Sequence, residues 1–275
     1  MNTPRFGLIL LAAFLSCSSL AHATIYGRWN FNEPAGTSLT ATINSGTLAG
    51  SWTSDITNGE GIFVDGSGAL KVRTNGDLDT TQSFWVSPIA PITTGTVYVT
   101  VKFKKFVLAE TAGSVAEIFR LSTNNLNAGK YAQAMIQVDR KLTGNYLQVR
   151  GYSSTNSTSS SGAYSSYVNL GTGFSAPDGL TLCLAVNYTT RQYVVSAKVG
   201  NNPWQENLGT GTVYTGASFT GIRIKAGNDF TNVGDEVLID QVTISDVKPE
   251  EEHGTVILIS ANRPAVSAPA PSPRG

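Results

Sequence analysis

The sequence predicts an all-β chain folded as a two-sheet antiparallel sandwich. Three observations carry that expectation. Short runs along most of the chain alternate apolar and polar residues with period two. Clusters of Gly, Asn and Ser separate the runs at the spacing of sandwich turns. No stretch of useful length carries a helical period.

The chain opens with Arg5, an apolar run from Phe6 to Leu15, and Ala21-His22-Ala23. One early cation, an apolar run too short to span a bilayer, and small residues flanking the cut read as a signal peptide over residues 1–23. A lipoprotein leader acylated at Cys17 is the alternative, but Phe14-Leu15-Ser16 suits that motif poorly. The mature chain is therefore expected to be secreted, in the extracellular space or periplasm or at the cell surface. About 250 residues remain, the size of one large β-domain. The sandwich is expected over 24–247. Residues 248–275 read as a disordered Pro-rich tail, acidic at Glu250-Glu251-Glu252, with an apolar patch at Val256–Ile259 too short to cross a membrane.

Net charge is zero and only 14% of residues are charged, so the composition makes no case for nucleic acid or an anionic membrane as partner. Cys17 goes with the leader, which leaves Cys183 alone in an apolar run as a small buried hydrophobe. No disulfide framework is expected. Of the two histidines, His22 lies in the leader and His253 in the tail. That excludes Ser-His-Asp and Cys-His nucleophilic sites and the usual imidazole metal sites.

The elements follow in order. Tyr26 to Asn32 reads as a half-buried strand with Trp29 and Phe31 inward, broken at Glu33-Pro34-Ala35-Gly36 by a residue without an N–H and one able to take positive φ. Thr37 to Gly50 is a polar turn region. Ile62-Phe63-Val64 and Ala69 to Val72 form a hairpin about Asp65-Gly66-Ser67-Gly68. Ser83 to Val86 is a short strand with Trp85 expected in the core. The clearest strand is Thr96 to Lys104, with Val97, Val99, Val101 and Phe103 inward and Tyr98, Thr100, Lys102 and Lys104 outward. Further strands are expected at 115–121, 131–138 and 146–149. Gly151 to Gly162, continuing to Tyr167, reads as a long exposed Ser/Thr/Asn loop. Leu180 to Val186 is a central strand, and 193–199, 221–224 and 237–244 complete the set.

Trp29-x-Phe31-x-Glu33-x-x-Gly36, followed by Asn44-Ser45-Gly46, resembles the start of laminin-G-like domains of the concanavalin A-like lectin/glucanase superfamily. Asp235 to Ser245 is similar to the closing strand of such modules. The resemblance touches the two ends of the domain. It implies a jelly roll whose first and last strands are neighbours, and it implies no activity.

Three constellations follow. If the end strands are neighbours, Glu33 and Asp240 could share a structural calcium ion, since hard carboxylate oxygens suit that metal; Asp77 and Asp79 are a weaker pair. Exposed aromatic rings can stack on a sugar face, so Trp204, Tyr152, Tyr164, Tyr167 and Trp52 are candidate glycan contacts. No paired-carboxylate strand of the glucanase kind is present, which removes that hydrolysis. Ile136-Gln137-Val138-Asp139 and Ile224-Lys225-Ala226-Gly227-Asn228 faintly resemble two strands of jelly-roll alginate lyases. Asp139 stands where those enzymes carry histidine, and the tyrosine after the Lys-Ala-Gly step is missing. The expectation is a secreted, non-catalytic module that binds a polysaccharide or cell-surface glycan. A lyase acting on a uronate glycan is the alternative, and a structural surface protein without a small-ligand site is a third reading.

Overall fold

A computed structural model describes residues 23–47, 50–54, 62–72, 82–86, 90–107, 116–123, 132–141, 146–156, 161–173, 175–226 and 236–249, and the account below concerns these. The expected leader, the tail beyond Pro249, and Asp77 and Asp79 lie outside them. Among the described residues no helix is long and apolar enough to cross a membrane.

In chain order the strands are β1 (Ile25–Trp29), β2 (Trp52–Ser54), β3 (Phe63–Val64), β4 (Leu70–Val72), β5 (Gln82–Val86), β6 (Thr96–Val107), β7 (Ala116–Thr123) and β8 (Met135–Lys141). They continue with β9 (Tyr146–Ser154), β10 (Gly162–Tyr164), β11 (Val168–Asn169), β12 (Leu180–Asn187), β13 (Gln192–Val199), β14 (Gln205–Thr212), β15 (Ile222–Ala226) and β16 (Glu236–Ser245). A single 3-10 turn at Leu39–Ala41 is the one helical element described. The strands form two antiparallel sheets. The first runs β14-β13-β12-β6-β16-β4-β3, with β1 also paired to β16; the second runs β10-β9-β8-β7-β15-β5-β2, with β11 on β9. The chain thus has the two-sheet sandwich expected of the concanavalin A-like class, with its first and last strands paired.

Alternation places the core between the sheets. In β6, Val97, Val99, Val101 and Phe103 are 0–1% exposed, and β12 lies centrally against β6 and β13 as its apolar run requires. The second sheet supplies Phe119 and Leu121, Ile136 and Val138, Leu147 and Val149, and Ile222 and Ile224. Ring contacts join the layers: Trp29 of the first sheet lies 5.0 Å from Trp52 of the second, and Phe103 lies 5.0 Å from Phe119. Such pairs add about 0.5–1.5 kcal/mol beyond the area they bury.

The opening segment is shorter than expected as a strand. Pairing stops at Trp29, and Phe31 reaches the core through a left-handed backbone, φ 52°, instead of by alternation. The turn after it uses Gly36 at φ 83°, as expected. Asn44-Ser45-Gly46 is fastened along β1: Asn44 Oδ1 accepts from the Arg28 amide at 3.0 Å and the Gly46 amide at 2.8 Å, while the Ser45 amide donates to the Arg28 carbonyl at 2.9 Å. Gly46 passes so close to Gly27 that a Cβ there would stand 2.5 Å from the Gly27 Cα. Gly46→Ala is therefore expected to destabilise the chain by about 1–3 kcal/mol, read as a lower denaturation midpoint with an unchanged slope; an unchanged midpoint would contradict the packing of this segment.

The expected hairpin pairs β3 with β4. Its turn is organised by Asp65, whose Oδ1 accepts from the Ser67 amide at 2.8 Å and the Ala69 amide at 3.3 Å. Burial works to raise the Asp65 pKa, but the Ser67 and Ala69 hydrogen bonds and nearby Lys104 outweigh it and hold the carboxyl below its ordinary value. A depressed carboxylate contributes stability above its unfolded pKa, about 3.9, and loses that contribution as pH falls below it. Stability measured from pH 6 down to 3 should fall less in Asp65→Asn than in wild type. Parallel curves would contradict the role assigned to this carboxylate.

Candidate functional site: the outer face of the second sheet

The apolar residues of β7, β8, β9 and β15 turn to the core, so their alternate neighbours are forced onto the sheet's other face. Register then sets them in rows across the strands. Arg150 of β9 lies opposite Gln137 of β8, Gln137 opposite Arg120 of β7, and Arg120 opposite Lys225 of β15. In the next row Tyr152, Met135, Ser122, Arg223 and Trp85 are successive partners. Gln148 and Asp139 pair in the row on the other side. With neighbouring strands about 4.8 Å apart, a row of four positions spans roughly 14 Å. A chain with no net charge thus gathers three arginines and a lysine on one surface, interleaved with aromatic rings and amides.

The middle of this face is packed. Gln137, Asp139, Gln148 and Ser122 are 3–5% exposed; the Ser122 hydroxyl donates to the Arg223 carbonyl at 3.4 Å, and Gln137 and Asp139 belong to one hydrogen-bonded chain. Gln137 Nε2 donates to Asp139 Oδ1 at 2.9 Å, and Arg150 Nη2 donates to Gln137 Oε1 at 3.3 Å. The Tyr167 hydroxyl donates to Asp139 Oδ2. Burial, then the Asp139 hydrogen bond and charge, push the Tyr167 phenol well above its ordinary pKa, so it stays protonated. The Arg150 guanidinium carbon lies 3.7 Å from the centre of the Tyr164 ring and 4.1 Å from that of Tyr167. Arg223 lies over Trp85 at 5.9 Å.

Tyr152 and Tyr164 arrive on strands, and Tyr167 lies in the short connection between β10 and β11. β9 runs through Ser154, and β10 pairs Tyr164 with Tyr152. The Ser165 amide donates to the Gly151 carbonyl, and the Gly151 amide to Ser165 Oγ, at 2.9 and 2.8 Å. The expected exposed loop from Gly151 is therefore strand as far as Ser154; residues 157–160 lie outside the described residues. Composition misled because Ser residues paired along a sheet need no apolar area of their own.

The candidates from sequence divide accordingly. Tyr164 and Tyr167, 47% and 37% exposed, meet on this face. Tyr152 belongs to it but is buried, its ring 4.5 Å from that of Tyr164, so it supports the platform from below. Trp52 is core, 2% exposed and packed on Trp29 and Phe84; its indole is not available to a sugar. Trp85, expected in the core, is half-buried on the outer side, since Phe84 and Val86 take the inward positions. Trp204 lies between β13 and β14 of the first sheet, where Lys248 sits 5.4 Å from its ring; it is no part of the cationic face. Glu33 and Asp240 are each engaged within the protein. Glu33 Oε1 accepts from the Ile43 amide at 2.7 Å, and Asp240 is paired with Lys102. No group of three or more His, Cys, Asp or Glu placed to hold a metal occurs among the described residues.

Arg120, Arg150 and Arg223 were missed by composition, which sees only a neutral chain. The signal was in the alternation: Arg120 and Arg223 stand between inward apolar residues, in Phe119-Arg120-Leu121 and Ile222-Arg223-Ile224, and Arg150 follows inward Val149.

No family model matches the chain, and no curated protein matches its sequence. Among solved structures it is similar to SCLam, a non-specific endo-β-1,3(4)-glucanase from family GH16, at 10% identity and TM-score 0.47, over 82% of this chain and 91% of that one. It is similar to the metal-free exoplasmic/lumenal domain of VIP36 at 10% identity and TM-score 0.49, over 82% and 94%. It is also similar to the potassium-bound carbohydrate recognition domain of Emp46p at 14% identity and TM-score 0.47, over 80% and 99%. The likeness is one of overall shape and says nothing of a ligand for this chain.

The hydrogen bond from Tyr167 to Asp139 has a direct readout. In an ultraviolet titration of tyrosine ionisation, Asp139→Asn should bring one late-ionising tyrosine to lower pH, because the carboxylate that opposes the phenolate is gone. A titration curve identical to wild type would contradict the pairing.

Proposed function

We propose that the chain binds an acidic, uronate-bearing polysaccharide outside the cell, laid across the strands on the outer face of the second sheet, and does not cleave it. The observation that carries this reading is the in-register row Arg150, Gln137, Arg120 and Lys225, flanked by Tyr164, Tyr167 and Trp85. Cations at strand spacing suit a ligand with repeated negative charges, and the half-exposed rings suit its sugar faces. A nucleic acid would also meet the cations, but nothing in the chain's net charge favours it.

The lyase reading draws on one specific observation: Gln137 and Lys225, from the two lyase-like strands, share a row. Elimination needs a base able to take the proton beside the uronate carboxyl. Tyr167, the phenol nearest Gln137's partner Asp139, is instead held protonated, which favours binding without chemistry. A calcium ion at Glu33 and Asp240 is a separate proposition. It would have to displace Lys102 from Asp240 and find further oxygen ligands, since calcium takes six to eight. It predicts a melting temperature that falls on chelation, and an unchanged temperature removes it.

Affinity electrophoresis and calorimetry with polygalacturonate, and with a neutral glucan as control, test the proposal. Wild type is expected to bind the polyuronate alone, with affinity falling as salt rises. Arg120→Ala and Lys225→Ala should each weaken binding by roughly tenfold, about 1.4 kcal/mol. Equal binding of the neutral polymer would overturn the reading, as would growth of ultraviolet absorbance from an unsaturated product.

A further inference from the structure

We propose that Arg150 is the specificity-determining residue of this face, reading a carboxylate through its planar fork, and that Asp139 is the buried positioning residue that sets it. The inference rests on the reading of the second sheet's outer face as the acidic-glycan surface.

The hydrogen-bond chain has a direction that chemistry fixes. A guanidinium can only donate and a carboxylate can only accept. The Gln137 amide between them must therefore turn its NH2 to Asp139 and its carbonyl to Arg150, as it does at 2.9 and 3.3 Å. Asp139, 3% exposed, takes the Tyr167 hydroxyl on its other oxygen. One buried carboxylate thus orients both the amide that anchors Arg150 and one of the two rings that cover it.

Those rings restrain the rest. With Tyr164 and Tyr167 centred 3.7 and 4.1 Å from its central carbon, the guanidinium has lost most of its rotational freedom before any ligand arrives. Cation–π contact of this kind contributes on the scale of a hydrogen bond. Its Nε is buried without a partner among the described residues, and one Nη2 hydrogen goes to Gln137, so the remaining Nη hydrogens are left to a ligand. A pre-set pair of in-plane donors matches the two oxygens of a carboxylate, which a lysine ammonium cannot reproduce. Lys225, a point charge on the same row, attracts any anion. Arg150 discriminates among them.

The test uses the full chain with polygalacturonate and with the same polymer methyl-esterified, which keeps the sugar and blocks the carboxylate. Arg150→Lys keeps the charge and removes the fork; it is expected to lose at least tenfold in affinity for the free acid. Asp139→Asn should lose preference for acid over ester. Tyr164→Leu, at a half-exposed position, should lower the same preference, and it stands in if a buried-site variant fails to fold. Failure of wild type to bind polygalacturonate overturns the glycan surface itself. Wild-type binding that Arg150→Lys and Tyr164→Leu leave unaltered overturns this inference and leaves the surface reading intact.

Discussion

In the second sheet, burying one set of side chains fixes the position of the other. Phe119, Ile136, Val149 and Ile224 pack against the first sheet, and a slip of one residue in any of their strands would turn that strand inside out. The register that protects the core is therefore the register that aligns Arg150, Gln137, Arg120 and Lys225. No separate scaffold for the surface is required. Rings that cross the layers, Trp29 on Trp52 and Phe103 on Phe119, hold the two sheets together, and Phe119 immediately precedes Arg120.

The outer face has its own economy of charge. Like charges set a few ångströms apart repel, and the second sheet manages this with Asp139, buried amides and aromatic rings placed among the cations. The result is a surface whose side chains hold one another in place, with Tyr167 and Gln137 both held on one carboxylate. A preorganised face spends less of its interaction energy on ordering side chains at the moment of contact. The phenol nearest the polar centre stays protonated because burial, and then the carboxylate that orients it, oppose its ionisation.

Much of the fold was legible because period-two alternation reports burial directly. The β6 pattern follows from it, the central β12 from its continuous apolar run, the Asp65 hairpin from its turn residues, and the pairing of the end strands was what the resemblance to laminin-G-like domains implied. Alternation failed at Phe31, which reaches the core by a left-handed turn that no pattern announces, and in β9 and β10, whose Ser-rich residues read as loop. The site was less legible. Aromatic rings drew attention by type, yet Trp52 serves the core and Trp204 the first sheet. The arginines that make the face distinctive are spread over three strands far apart in sequence, and only strand order, β9-β8-β7-β15, makes them neighbours.

The most direct test of a surface set by register is to see where a ligand touches it. Backbone amide chemical shifts followed during titration with a short galacturonate oligomer should move at Arg120, Gln137, Arg150, Tyr164, Arg223 and Lys225, and stay still on the first sheet. Movement centred on Trp204 and Lys248, or none at saturating oligomer, would contradict the assignment of the outer face of the second sheet as the binding surface.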